Sequence, residues 1–370
     1  MVRSNRWALE SVIRMRWIAF LSLGLACLLS GCASNSISAP IQSVTSVTPS
    51  STGIPNYVLA FGDFEFVSVQ AIGQIFTYNI SGGTQVVAVV PYTTPCKDPS
   101  GMVIAAISGS YVMAVVCYDT GSLITLTVHG DGSLTPLGSV SGLVQPYPGI
   151  VVDGTNVYVP LVGVAGSANG AVAKVSIAAP STPVITATAM LASPAPGAFV
   201  NPGYLAASGG YIFATAGSEN APQSATSTVQ VINESSMSLV GSPLIVAHSP
   251  QQIAVQGSVA YVTTYDAQQL ESIDISTPSN LNPLQILSLS TSSPGCSAEP
   301  VAVYGTSAFV GCNGQGTIDW IDITNPSAMK LNSAIPGVLN AQRLALASPY
   351  VLATDGVTGG NVYQILPGTP

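Results

Sequence analysis

In the stretch Gln252-Ile-Ala-Val-Gln-Gly-Ser-Val-Ala-Tyr-Val-Thr-Thr264, two short apolar runs are joined by a tight Gly-Ser turn. Short runs rich in β-branched and aromatic residues are typical of strands that are buried on both faces. The same pattern of two apolar runs joined by a tight turn recurs along the chain, and this recurrence indicates the fold. Its turns lie at Gly62-Asp63, Gly109-Ser110, Gly154-Thr155, Gly209-Gly210, Gly257-Ser258, Gly305-Thr306 and, without a glycine, Ser348-Pro349.

The spacing of these turns indicates a repeat architecture. Successive turns are 47, 45, 55, 48, 48 and 43 residues apart, and each unit has room for about four strands, named a to d from the centre outward. A period in the forties with four strands per unit is typical of a β-propeller. Residues 57–370 therefore predict an all-β, seven-bladed β-propeller with four antiparallel strands per blade and one domain; strand d of the first unit is placed at Val86–Val90.

The seventh unit is one strand short. After Arg343–Ala347, Tyr350–Thr354 and Asn361–Leu366 the sequence ends, whereas Pro40–Thr48 is similar to the outer strand Pro283–Thr291 of the fifth unit. An unpaired strand edge is open to stray pairing, so a ring closes better when its last blade takes a strand from the other terminus. We therefore expect residues 41–48 to be the outer strand of the last blade. The alternative is that all of residues 32–56 form a tether.

The N-terminus resembles a bacterial lipoprotein signal. Four arginines precede an apolar run from Trp17 to Leu29 that is short for a membrane span, and the run ends in Ser30-Gly31-Cys32. The resemblance implies that residues 1–31 are removed, that Cys32 is lipidated, and that the exported protein is anchored to the outer membrane. The alternative is an ordinary signal peptide or a membrane anchor with a chance cysteine.

Removal of the signal leaves an acidic body. Four basic residues remain (Lys97, Lys174, Lys330 and Arg343) against fifteen acidic ones, so the formal charge is −11. Four scattered cations cannot neutralise a phosphate backbone, which excludes nucleic acid as a partner. An anionic membrane surface repels such a body, so contact with the membrane is expected through the lipid alone. We expect a monomer.

Four cysteines remain in the body after Cys27 and Cys32. Cys96 and Cys296 precede strand a of units two and six, and Cys117 and Cys312 end strand b of the same units. These positions lie on one face of a propeller, and an exported compartment permits disulfides. We predict Cys96–Cys117 and Cys296–Cys312. A metal site is the alternative, although blades two and six are far apart and no histidine is close in sequence to either pair.

The loops of the same face carry acids from four units. Asp119, Glu219, Asp266 and Asp355 all lie in connections between strands b and c. Carboxylates converging on a channel mouth would attract a cation such as Ca²⁺, which prefers hard oxygen ligands. Because no compact Asp-x-Asp-x-Asp loop is present, the alternative is that these are solvated acids of an acidic protein.

Other candidate ligand-face residues lie near the start of strand a or just before it. They are Tyr57, Tyr204, Gln252, Glu299 and Arg343, with His248 after strand d of the fourth unit. Arg343, the one arginine of the body, could clamp a carboxylate or phosphate bidentately or pair with Glu299 one blade away. His248 is otherwise a surface loop residue.

Two motifs resemble known propeller repeats. Ile273-Asp-Ile-Ser-Thr-Pro-Ser-Asn280 and Ile321-Asp-Ile-Thr-Asn-Pro-Ser-Ala328 resemble the bacterial LVIVD repeat, and His129-Gly-Asp-Gly-Ser-Leu-Thr-Pro-Leu-Gly138 resembles YVTN and lactonase-like propellers. The resemblance implies the fold and raises a lactonase-like hydrolase as one possible function. No nucleophile elbow or metal-protease motif is present. We therefore expect a lipid-anchored binding or scaffold module for a protein or glycan, with hydrolysis at the channel mouth as the alternative.

Overall fold

The structure, a computed structural model, describes residues 43–163, 169–194, 199–217, 227–289, 295–357 and 359–366. Within these ranges the chain forms 29 strands in seven antiparallel sheets and no helix. No helix in the described ranges could therefore cross a membrane. The prediction of an all-β, seven-bladed propeller with four antiparallel strands per blade is confirmed.

The strands follow the chain blade by blade after a first strand that belongs to the last blade, β1 (Ser43–Val47). Blade 1 contains β2 (Ile54–Phe61), β3 (Phe64–Gln70), β4 (Gln74–Asn79), β5 (Val86–Val87) and β6 (Tyr92–Thr93). Blade 2 contains β7 (Pro99–Ile107), β8 (Ser110–Cys117), β9 (Ser122–Val128) and β10 (Leu134–Ser141). Blade 3 contains β11 (Val151–Asp153), β12 (Asn156–Leu161), β13 (Ala171–Ser176) and β14 (Val184–Met190).

The remaining blades repeat this order. Blade 4 contains β15 (Asn201–Ser208), β16 (Tyr211–Gly217), β17 (Thr228–Asn233) and β18 (Ser238–Ile245). Blade 5 contains β19 (Pro250–Gln256), β20 (Val259–Thr264), β21 (Gln269–Asp274) and β22 (Asn282–Ser288). Blade 6 contains β23 (Ala298–Tyr304), β24 (Ser307–Cys312), β25 (Thr317–Asp322) and β26 (Lys330–Pro336). Blade 7 contains β27 (Ala341–Ala347), β28 (Tyr350–Asp355) and β29 (Val362–Leu366), and β1 is its outer strand.

The two faces of the ring carry different connections. We call the face of the b–c and d–a connections the mouth face, and the face of the a–b and c–d turns the turn face. On the turn face, the glycines of the six predicted Gly turns adopt φ between +56° and +81°, a region that favours glycine. The turns therefore need glycine, which is why they mark the repeat so clearly in the sequence.

The ring is closed by the N-terminal strand, as predicted. β1 pairs antiparallel with β29, from Ser43 opposite Leu366 to Val47 opposite Val362. Residues 41 and 42 of the predicted strand lie outside the described residues. Because β29 starts at the mouth face, the antiparallel β1 enters at the turn face with Ser43 and reaches the mouth face at Val47.

The core lies between blades rather than inside any one of them. Ala114 and Val116 of blade 2, for example, belong to the same buried cluster as Val157 and Val159 of blade 3. Each inner strand packs against the inner strands of both neighbouring blades, and β2 of blade 1 packs against β27 of blade 7. Both faces of a blade are therefore covered, which explains the nearly continuous apolar runs.

Blade 1 departs from the predicted pattern at its edge. The expected outer strand Val86–Val90 is broken into β5, which pairs with the end of β4, and β6, which pairs with its start. Pro91 directly precedes β6, and proline cannot donate to a ladder hydrogen bond. The outer edge of this blade is thus shorter than that of any other described blade.

Candidate functional site

Six inner strands carry a β-bulge at the same level, next to the mouth face. The register shifts fall between Pro55 and Tyr57, Pro99 and Gly101, Pro202 and Leu205, Pro250 and Ile253, Ala298 and Val301, and Ala341 and Arg343. A bulge leaves its extra residue unpaired and re-aims its side chain. We call the residues in or directly after these bulges the bulge ring; its polar and aromatic members are Asn56, Tyr57, Ser100, Tyr204, Gln251, Gln252, Glu299, Gln342 and Arg343.

Threonines of the second strands hold two of these bulges across blades. The Thr215 hydroxyl accepts a hydrogen bond from the Tyr204 amide (3.0 Å) and donates to the Gln251 carbonyl of the next blade (2.7 Å). Thr263 repeats the arrangement one blade further on. It accepts from the Gln252 amide (3.1 Å) and donates to the Glu299 carbonyl (2.6 Å). Blades 4, 5 and 6 are therefore linked at the level of the bulge ring by side chains that are themselves buried.

Arg343 lies at the centre of the ring, where its side chain is only 4% exposed. Its guanidinium carbon is 4.5 Å from the ring centre of Tyr204 and 5.4 Å from that of Tyr57, so it is held by aromatic rings of blades 4 and 1. Burial acts to lower the pKa of Arg343, but Tyr204 and Glu299 outweigh it and the pKa lies above its ordinary value. The arginine therefore stays charged inside the mouth.

Glu299 is the carboxylate of this site. Its Oε2 accepts hydrogen bonds from the amide groups of Asn313 (2.6 Å) and Gln342 (3.2 Å). Burial raises the pKa of Glu299, while the charge of Arg343 and the bond from Asn313 oppose the rise. The expected proximity of Arg343 and Glu299 is thus seen as an electrostatic interaction, whereas the direct contacts of Arg343 are with tyrosine rings and with the Gln342 carbonyl.

The predicted loop acids do not converge on one site. Asp119 accepts hydrogen bonds from the backbone amides of Lys97 (3.0 Å) and Asp98 (3.4 Å), and Asp355 is buried at the end of β28. Asp266 Oδ2 lies 3.0 Å from His248 Nδ1. Glu219 lies outside the described residues. The structure therefore gives each described acid a local partner or a buried position, and brings no three of them together.

The cysteines form the two predicted disulfides, Cys96–Cys117 and Cys296–Cys312. Asp319 lies close to the second pair, and burial raises the pKa of its carboxyl to about 6. These three residues are the only group of three potential metal ligands within the described ranges. Since both thiols are used in the S–S bond, this group offers one free carboxylate.

Sequence reasoning found Tyr57, Tyr204, Gln252, Glu299 and Arg343, all of which the structure places in the bulge ring. It missed four polar members of the ring, Asn56, Ser100, Gln251 and Gln342, and also Asn313, which donates to Glu299. A signal for the bulges was present, because proline directly precedes the shift in four blades, at Pro55, Pro99, Pro202 and Pro250. Proline inside a strand is confined to edges, first residues and bulges.

Comparison with known proteins supports the fold and the repeat. Residues 249–286 and 295–335 match the LVIVD repeat, and they include blades 5 and 6 from β19 to β22 and from β23 to β26. The chain therefore resembles LVIVD-repeat propellers, as the sequence motifs indicated. No curated protein matches the sequence.

Solved structures with a similar fold belong to different kinds of protein. Virginiamycin B lyase from Staphylococcus aureus is 11% identical, with a TM-score of 0.63 over 88% of this chain and 98% of that one. The periplasmic gluconolactonase PpgL of Pseudomonas aeruginosa is 14% identical, with a TM-score of 0.63 over 89% and 98%. The β-propeller domain of Cps50 (Swd1) from Myceliophteria thermophila is 12% identical, with a TM-score of 0.65 over 87% and 99%. At such identities the likeness shows the fold alone.

Proposed function

We propose that this protein is a lipid-anchored binding module of the cell envelope, which binds a glycan at the channel mouth on its mouth face. The observation that carries the proposal is the bulge ring, in which six inner strands carry bulges at one level and place polar and aromatic residues next to the mouth face. The buried threonine links fix two of these bulges before any ligand arrives. Such preorganisation reduces the entropy lost on binding.

The chemistry of the mouth favours a glycan over a protein among the two ligand classes. Gln342, Asn313 and Gln252 offer amide donors and acceptors, and Glu299 offers a carboxylate, on half-buried side chains. Planar amide and carboxylate groups can contact neighbouring hydroxyls of a sugar in pairs, and tyrosine provides a flat apolar face with a polar tip.

Hydrolysis is not favoured by any described group. The four disulfide cysteines cannot act as nucleophiles, and His248 beside Asp266 could serve only as a general base, for which the described residues supply no hydrogen-bonded nucleophile. The only described cluster of potential metal ligands has a single free carboxylate. Lactone hydrolysis is therefore kept as an outcome of the test, not as a second proposal.

The test is a screen of the soluble body against an array of defined oligosaccharides, followed by calorimetry on the best binder. Gln342→Ala should weaken binding about fivefold, since one neutral hydrogen bond is worth about 1 kcal/mol. Gln256→Ala is the matched control, because Gln256 lies at the other end of an inner strand and donates to the Gly305 carbonyl near the turn face. This control should bind as the unaltered protein does.

Three results would overturn the proposal. The first is the absence of glycan binding, and the second is binding that Gln342→Ala and Gln256→Ala affect equally. The third is turnover of a panel of lactones, with or without divalent metals, that Glu299→Gln or Arg343→Ala abolishes. Melting temperatures of all variants separate a lost contact from a lost fold.

A further inference from the structure

The outer edge of blade 1 exposes an apolar surface with no charge around it. Val86 and Val87 are each 59% exposed and Val90 is 87% exposed. The segment from Ile80 to Pro95 contains no charged residue. We call Val86, Val87 and Val90 the valine edge. Val86 and Val87 are successive residues of β5 and point to opposite faces of the blade, so the exposed apolar surface lies along the strand edge, where another phase or molecule can cover it.

The valine edge lies next to the blade that receives the N-terminal chain. Val47 of β1 belongs to the same apolar cluster as Phe76 of β4 and Tyr350 of blade 7. The c–d loop of blade 1 also contacts blade 7, since a side chain added at Gly83 would meet the Tyr350 hydroxyl at 2.9 Å. The turn-face ends of blades 1 and 7, where Gly83 approaches Tyr350, therefore form one corner of the ring, and β5 and β1 are the outer strands of these two blades.

Strand direction places this corner on the turn face. β5 pairs with Tyr78 and Asn79 at the end of β4, and β1 begins at the turn face with Ser43. Residues 33–42 join Ser43 to Cys32, and ten residues reach at most about 35 Å. A lipid on Cys32 would thus attach the chain on the side of the turn face, where β1 begins.

The acids of the turn face lie mostly on the other blades, and two of them have a lysine nearby, Glu234 beside Lys174 and Asp322 beside Lys330. Asp131, Asp153, Glu234, Asp274 and Asp322 lie at turns or strand ends of blades 2 to 6 on this face. An anionic bilayer surface repels these carboxylates. Blade 1 has one turn-face acid in a turn, Asp63 of the a–b turn, whose carbonyl accepts a hydrogen bond from the Ile80 amide.

From these observations we infer that the valine edge docks on the phospholipid bilayer that holds the anchor. The inference rests on the lipid anchoring contained in the proposed function. Docking fixes an orientation, with blades 1 and 7 against the lipid and the bulge ring facing away. The lipid supplies the attachment, and the three valines enter the interfacial region only to a shallow depth.

The test places one fluorophore on the edge of the lipidated full-length protein in vesicles of phosphatidylethanolamine and phosphatidylglycerol. Val87→Cys is labelled with an environment-sensitive dye, since the other described cysteines are in disulfides. Val184→Cys is the matched control, because Val184 is 55% exposed and begins the outer strand β14 of blade 3 at the turn face. Bromine-labelled lipids should quench the dye at position 87 about threefold more than at position 184, as expected for a side chain about 5–10 Å inside the interface.

A second variant separates docking from anchoring. Adding Val86→Asp and Val90→Asp to the labelled Val87→Cys protein should abolish the extra quenching, while the protein still floats with the vesicles. Equal quenching at both positions in a floating protein overturns the docking surface alone. A protein without lipid at Cys32 overturns anchoring and docking together, and glycan binding is measured separately on both preparations. If the dye signal depends on protein concentration in the absence of vesicles, the valine edge binds a second copy of the chain. This result overturns the inference.

Discussion

Two buried titratable side chains of this propeller differ in their charge: Arg343 is charged, whereas Glu65 is protonated. Arg343 is surrounded by tyrosine rings and Glu299, which stabilise its charged form despite burial. Glu65 in β3 is fully buried, and only one of its oxygens has a hydrogen-bond partner, the Gln85 amide at 2.7 Å. Burial raises the pKa of Glu65 to about 8. A single neutral donor cannot replace the solvation of a carboxylate, so Glu65 folds in its protonated form.

Glu65 therefore makes stability fall as the pH rises. Its pKa is about 8 in the folded protein and about 4.5 when unfolded, so folding retains a proton between these values. This stabilisation is complete below pH 4.5 and is lost as the pH rises toward 8, by about 1.4 kcal/mol per pH unit. Glu65→Gln keeps an acceptor for Gln85 and cannot ionise. Its free energy of unfolding in urea should exceed that of the unaltered protein by an amount that grows from pH 5 to pH 8.

Asp131→Asn is the control for this measurement. Hydrogen bonds from Ser133 lower the pKa of Asp131, which is solvent-exposed, so its contribution changes only in acid. The stability of Asp131→Asn should run parallel to that of the unaltered protein between pH 5 and pH 8. A constant offset for Glu65→Gln over the same range would contradict the assignment of a protonated Glu65.

Among the structural elements, the strands could be predicted from the sequence, whereas the bulges could not. Nearly continuous apolar runs separated by glycine turns predicted the strands, because each of these signals lies within a few residues of sequence. The bulges depend on the register in which β15 pairs with β16 and β19 pairs with β20. This register cannot be predicted from the sequence of one strand alone. Tyr204 and Glu299 were therefore placed at the right ends of their strands, while the partner residues Gln342 and Asn313 remained hidden.

The threonine links should contribute to both stability and binding. Thr263→Val removes the hydroxyl that accepts from the Gln252 amide and donates to the Glu299 carbonyl. Two lost hydrogen bonds in a buried position should lower the free energy of unfolding by about 1–3 kcal/mol. Because Glu299 loses its backbone support, glycan affinity should fall as well. Urea unfolding and calorimetry measure the two effects.

Thr263→Ser is the matched variant, since it keeps the hydroxyl and removes only a methyl group. It should retain affinity and most of the stability. If Thr263→Val loses stability but binds the glycan as well as Thr263→Ser does, the threonine link stabilises the fold and does not contribute to glycan binding.

At the scale of the whole molecule, the fold depends on one contact between the ends of the described chain. Neighbouring blades bury their apolar faces against each other all round the ring, so a weak blade 7 would expose a face of both blade 6 and blade 1. β1 covers the otherwise open edge of β29 with five residue pairs. The sequence allowed this strand to be predicted, because Pro40–Thr48 repeats the pattern of an outer strand and the last unit lacked one.

Deletion of residues 43–47 should consequently weaken the ring as a unit. Loss of the β1 ladder and of the packing of Val47 should lower the free energy of unfolding by about 3–5 kcal/mol. The exposed edge of β29 should also pair with other chains, so sedimentation should show association that rises with protein concentration. Deletion of residues 33–37, which precede the described strand by several positions, is the control of equal length and should change neither property. A deletion of 43–47 that stays monomeric with an unchanged urea midpoint would mean that the three strands β27, β28 and β29 hold blade 7 closed without help from the N-terminal chain.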